Sequence, residues 1–220
     1  MEIKSLSQAY YMLSVGDGGQ MNPTRTELSN AGLVAAAYLE LRFAGAVKAE
    51  KKRVSVVKPL PRELSYLEPL YRYLAEKERS YTRMLSDHLV MGSGRRGALL
   101  ESVGRSLVAA GAAEEGKGGF FGNKTVFIPK KAERDQLVGR VREMVLSDKA
   151  LSREETVLLV LLKETKNLGQ YFSKYEEPAR KDRLKALRKN PRNELVAAAV
   201  KEAVQLIDTA KAAVLSTYSM

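Results

Sequence analysis

One pattern constrains this chain more than any other. An apolar helical period runs into a glycine, then a short hairpin, and it does so twice. In the first copy Leu28, Leu33, Ala36, Ala37, Leu39, Leu41 and Phe43 give helical spacing across 24–45. Gly45 breaks that period. Two short apolar runs around the charged Lys51-Lys52-Arg53 then predict a β-hairpin over 46–57, closed by Pro59 and Pro61. In the second copy Leu99, Leu100, Val103, Leu107 and Val108 carry a helix over 97–110 that stops at Gly111. A second hairpin over 112–129 follows, with a long glycine-rich tip. Residues 41–50 echo residues 107–115, a likeness short enough to read as a recurring motif rather than a duplication.

The rest of the chain reads as helix. Leu6, Ala9, Tyr10 and Leu13 predict a short amphipathic helix over 5–15, ended by Gly16-Asp17-Gly18-Gly19. Residues 62–90 are rich in Leu and Tyr at helical spacing, and from 131 onward the pattern is all helix. Ser152-Arg153-Glu154-Glu155 is a capping-box sequence ahead of an apolar helix at 156–162, short and amphipathic in its context. A basic stretch runs from Arg180 to Arg192, broken at Pro191, before a last helix over 194–215. The fold class that follows is mainly α: a compact helical domain, single over 1–220, with one or two β-hairpins. The chain's 220 residues are ample for a buried core.

A formal net charge of +11 favours an anionic partner, either nucleic acid or an acidic membrane surface. With no cysteine, disulfides, thiolate metal sites and cysteine nucleophiles are excluded. Residues 1–19 are too polar for a signal peptide, and no apolar run approaches the roughly 18 residues of a membrane span. The expectation is a cytoplasmic protein whose membrane contact is peripheral, on an inner face. Motifs for hydrolase, kinase or metalloprotease chemistry are absent, so the reading is of a protein without enzymatic activity, cofactor or metal. His88 reads as structural, and Glu154, Glu155 and Glu164 as a solvated helix face.

Gly92-Ser93-Gly94-Arg95-Arg96-Gly97 matches G-x-G-x-x-G, but no alternating strand–helix units surround it. The better reading is a basic loop before a helix N-terminus, where free N–H groups and two arginines suit a phosphate. Phe120 and Phe121 sit in mid-turn among glycines, where a loop tip is normally polar. They fold back on the core, meet a partner chain, or enter a membrane. Insertion of both rings would contribute on the order of 3–6 kcal/mol. The flanking Lys117 and Lys124 would add about 1 kcal/mol each over an anionic leaflet. The alternative is a winged-helix-like nucleic-acid-binding protein, with Lys48, Lys51, Lys52 and Arg53 as a basic wing. Against it, residues 31–39 look like a core helix, poor in side chains that read bases.

In order, these segments resemble the Golgi phosphoprotein 3 family over nearly the whole chain. Leu6-Ser7 to Gly18-Gly19 looks like its opening helix and Asp-x-x-Gly turn. Gly32-Leu33, then Leu39-Glu40-Leu41-Arg42 and Gly45, look like its Gly-Leu-Arg-Gly … Glu-Leu-Ala-Leu-Arg-Gly segment. Residues 106–111 look like the Asn-Leu-Val-Glu-Lys-Gly that leads into a hairpin. The resemblance implies a mostly helical peripheral membrane protein. Eukaryotic members bind phosphatidylinositol 4-phosphate and use an apolar hairpin at the membrane and in self-association. By analogy Phe120 and Phe121 are that hairpin's tip, and hairpin 112–129 is a contact for a homo-oligomer. The family's head-group tryptophan falls near Arg25, its first arginine on Val34, and its arginine pair on Gly97 and Leu100. None is identical, so the resemblance implies a less selective anionic-lipid site built from Arg25, Arg95 and Arg96.

Overall fold

The computed structural model describes residues 5–89, 94–119, 123–189 and 191–217. Among them, helix α2 (Thr26–Phe43) is the axis of the fold: every residue from Ser29 to Leu41 is buried. Helices α1 (Leu6–Ser14), α7 (Arg153–Glu164) and α9 (Glu194–Thr217) pack around it. Close approach between α1 and α2 needs Gly32, because a Cβ there would fall 2.0 Å from the Tyr10 hydroxyl oxygen. Helix α7 is not amphipathic as its sequence context suggests. Glu155 through Leu162 are all buried, as befits a helix enclosed by neighbours on all sides.

The repeated pattern is present in both places. After α2 comes the hairpin β1 (Val47–Glu50) and β2 (Arg53–Val56). After α5 (Arg95–Ala109) comes β4 (Ala113–Gly118) and β5 (Lys124–Pro129), paired antiparallel from Ala113↔Pro129 to Gly118↔Lys124. Both helices end in the same left-handed turn. Gly45 (φ 72°) and Gly111 (φ 72°) donate to the carbonyls of Arg42 and Val108, and the next residues, Ala46 and Ala112, donate back to Leu41 and Leu107. The fold is thus mainly α with two hairpins, as the sequence implies.

The stretch 62–90 is not one helix. A 3-10 segment (Arg62–Leu67) leads into α3 (Glu68–Ala75), then strand β3 (Arg79–Ser80) joins β2, and α4 (Tyr81–Leu89) follows. The break lies at Glu76-Lys77-Glu78-Arg79. Arg79 turns into the protein, bonds Glu76 at 2.6 Å and stacks on the Tyr73 ring at 4.4 Å, and Ser80 then caps α4 by accepting from the Arg83 N–H.

Past β5 lie α6 (Lys131–Leu146) and, after two 3-10 turns, α8 (Glu177–Lys189). The predicted capping box at α7 is formed, with the Glu155 N–H donating to Ser152 Oγ at 3.1 Å and the Ser152 N–H to Glu155 Oε2 at 2.9 Å. Glu155 also takes Arg140 at 2.5 Å, and Glu164 is ringed by Lys163, Arg188 and Lys211. These carboxylates hold helices together rather than forming a solvated face. Among the described residues no helix is long and apolar enough to cross a membrane.

Candidate functional site: a cleft at the root of the second hairpin

Four elements leave a gap between them. The end of α1 and its following turn supply Tyr11 and Gln20, the first turns of α2 supply Thr26 and Asn30, α5 supplies Gly94 to Glu101, and β5 supplies Lys124 to Phe127. The cleft measures about 830 Å³, within the usual range for small-ligand sites. Its two sides are joined at the back by Gly104 and Phe127, and Tyr11 fixes the same strand by donating to the Phe127 carbonyl at 3.0 Å. Burial pushes the Tyr11 hydroxyl up to about 12, so it stays a neutral donor.

Helix α5 begins at Gly94 in a left-handed conformation (φ 70°), with no side chain capping its first turn and no acidic residue in it. This first turn, whose N–H groups have no partner within the helix, lines the cleft through Gly94, Arg96 and Gly97. Arg96 is held there by Glu27, with Nη1 at 3.1 Å from both carboxylate oxygens. The pair is half-buried, at 25% and 32% exposure. Lys124 on the opposite wall has no carboxylate within ion-pair distance among the described residues, and its aliphatic stem lies against Gly119.

Of the expected residues, Arg96 and Lys124 meet in this cleft, while Arg25 and Arg95 diverge from it. Arg25 stands at the N-cap of α2 and donates to Gln170 Oε1 at 2.9 Å. Arg95 points to the other side of α5, with its guanidinium 5.3 Å from the Tyr73 ring centre. Lys117 is exposed on β4, opposite Thr125. Phe120 and Phe121 lie outside the described residues, as do Gly92 and Ser93 of the glycine motif. The motif's dinucleotide reading fails on topology, since α5 leads into an antiparallel hairpin rather than a parallel strand.

His88 is structural as expected. It is buried, its Nδ1 lies 2.8 Å from the Met84 carbonyl, and burial lowers its pKa. In the first hairpin Lys48 pairs with Glu50 and Arg53 with Glu78, so half of the supposed wing is neutralised. Helix α2, which leads into that wing, is buried along most of its length and so offers no face to a groove. Sequence reasoning missed Glu27, the counter-ion of Arg96. Its signal was present, since an acidic first-turn residue complements a helix N-terminus, but its partner is 69 residues away.

The fold and the cleft define a helical protein with two hairpins and a pocket beside the second that Arg96 and Lys124 line. The family model for Golgi phosphoprotein 3 (GPP34) matches residues 6–207, and the chain belongs to that family. No curated protein matches the chain.

Proposed function

We propose that this protein is a non-enzymatic, peripheral membrane protein that takes an anionic lipid head group in the cleft between Arg96 and Lys124. The observation that carries the reading is the uncapped α5 N-terminus lining a cleft with a cation on each side. Fixed N–H dipoles and two cations suit a phosphate monoester or diester. The family gives the reading its direction, because Gly97 and Leu100, where relatives carry their arginine pair, line this cleft. Here Arg96 and Lys124 stand in for that pair, which favours charge over stereochemical selectivity. Lys124 lies two residues after the tip segment 120–122. A tip that enters the acyl region would therefore bring the cleft to head-group depth.

The test is co-sedimentation with neutral, anionic and phosphoinositide-bearing vesicles. It compares the native chain, Phe120→Ser/Phe121→Ser, and Arg96→Ala/Lys124→Ala. Binding to anionic vesicles that falls about tenfold or more in each variant supports the reading. Equal binding by all three chains overturns it. A fall in solution size in the phenylalanine variant, with vesicle binding retained, would reassign the hairpin to self-association.

A further inference from the structure

Helix α8 carries six basic and two acidic side chains, and only Leu184 among its residues is buried. Its inner cations are occupied. Arg183 donates to the Met144 carbonyl at 3.2 Å and to that of Lys149 at 2.5 Å, Arg188 stands 3.6 Å from Glu164, and Arg180 stands 3.7 Å from Glu177. The outward side is different. Lys181, Lys185 and Lys189 are four residues apart and exposed, so they form one ridge spanning about 12 Å at the helical rise. Asp182 lies on the ridge's flank. Lys181 shares Glu177 at 2.9 Å. Lys185, Lys189 and, just past the helix, Arg192 have no carboxylate within 4.0 Å among the described residues.

Exposed apolar side chains stand at both ends of this ridge. Tyr175, ahead of α8, is 97% exposed, and Leu195, past it, is 70% exposed. Glu176, next to Tyr175, turns inward and is spent on Arg142. We infer that the α8 ridge, from Tyr175 to Leu195, is a second docking surface, and that its partner is an anionic bilayer. Cations alone would suit any polyanion. The leucine and tyrosine decide the partner, because an aliphatic side chain gains from the acyl boundary and nothing from a phosphate backbone, and tyrosine favours the membrane interface. The inference shares its partner class with the function proposed above, but it needs no head group in the cleft.

The test uses vesicles of phosphatidylcholine with about one-third phosphatidylserine, free of phosphoinositide, and the variant Lys185→Ala/Lys189→Ala/Arg192→Ala. Each cation at an anionic leaflet is worth roughly fivefold in partition. The triple variant is therefore expected to lose at least tenfold, with a further several-fold loss on adding Leu195→Ser. The part that depends on the three cations should vanish near 1 M salt, where screening acts within about 3 Å. All four side chains are exposed, and an unchanged melting temperature would confirm an intact fold.

Native-like sedimentation of the triple variant overturns the inference. So does a single-stranded RNA gel shift that needs the same residues while vesicle binding does not. If Arg96→Ala/Lys124→Ala leaves all vesicle binding intact while the triple variant loses it, the cleft reading fails and the α8 surface stands. The reverse pattern sinks α8 and keeps the cleft. No native binding to either vesicle sinks both.

Discussion

Gly104 lies so close beneath the Phe127 ring that a Cβ added to it would fall 2.0 Å from the ring's Cδ2. This contact sets the distance between α5 and β5, the two elements that carry Arg96 and Lys124. Gly104→Ala should push the strand away or force the buried ring off its rotamer, a kind of overpacking that typically costs about 1–3 kcal/mol. For a domain of this size each kcal/mol lowers the melting temperature by roughly 2–4 °C. Calorimetry checks the stability, and vesicle binding by the folded variant should weaken as well, because the cleft widens. A melting point equal to the native one would show that the contact is easily relieved.

The contact of one Arg96 nitrogen with both Glu27 oxygens makes a second prediction. A guanidinium already facing a carboxylate must share its donors with an incoming phosphate. Glu27→Gln removes the competing charge while keeping the side chain's shape. Affinity for anionic vesicles should rise about threefold to tenfold, and Arg96→Ala should lower it by a similar factor, consistent with a partly exposed pair worth about 1 kcal/mol. Titration with vesicles of increasing anionic content separates the two. Equal affinity in Glu27→Gln would mean that the guanidinium never meets the ligand.

Most of the architecture was legible because its punctuation is glycine. Gly45 and Gly111 each mark a helix end that needs a left-handed residue, and the charged turn after the first and the glycine-rich tip after the second mark the hairpins. The division of 62–90 was not legible, because its break is made by a buried arginine and a serine cap rather than by glycine or proline. The family-like Leu39-Glu40-Leu41 segment was visible as a motif, but not its role. Glu40 is a buried carboxylate that accepts from the Ser7 N–H at 3.0 Å, Ser7 Oγ at 2.6 Å and the Tyr66 hydroxyl at 2.7 Å, tying α1 and the Arg62–Leu67 segment to α2. All three donors come from outside its own helix. For the cleft, Arg96 and Lys124 could be named from sequence. That Arg95 turns to Tyr73 follows from its angular position on α5, which a reading of neighbouring residues as a pair ignores.

A third helix ends in the same turn with a residue ill suited to it. At the end of α7, Lys166 (φ 62°) donates to the Lys163 carbonyl at 3.0 Å, and Asn167 donates back to Leu162 at 2.7 Å. This is the arrangement of Gly45 and Gly111 with a lysine at the left-handed position, which costs a residue with a Cβ roughly 1–2 kcal/mol. Lys166→Gly should recover about 1 kcal/mol net of the glycine's greater freedom when unfolded, and raise the melting temperature by a few degrees. Lys166 belongs to neither the cleft lining nor the α8 ridge, so vesicle binding should be unchanged. A lower melting temperature would show that the lysine side chain contributes more than its backbone costs.

The buried tyrosines set the protein's behaviour at high pH. Tyr38 and Tyr81 meet over Glu202, which accepts from Tyr38 at 2.5 Å and also from Tyr81, joining α2 and α4 to α9. Burial, reinforced by that carboxylate, raises both hydroxyls well above the ordinary tyrosine value. Burial pushes Tyr10 and Tyr11 up to about 12. A group whose folded pKa is raised stabilises the fold fully below its unfolded value, and that contribution is lost as pH climbs toward the folded value. The unfolded chain therefore begins to release these protons near pH 10 while the folded chain holds them. Stability should fall steeply from about pH 10 to 12, and the phenolate absorbance of the buried tyrosines should appear together with loss of helical circular dichroism rather than before it. Glu202→Gln removes the charge that opposes ionisation of Tyr38 and Tyr81, so its phenolate signal should begin at lower pH than the native chain's. Phenolate absorbance that reaches its full, all-tyrosine amplitude while the helices stay intact would mean that these hydroxyls are open to solvent.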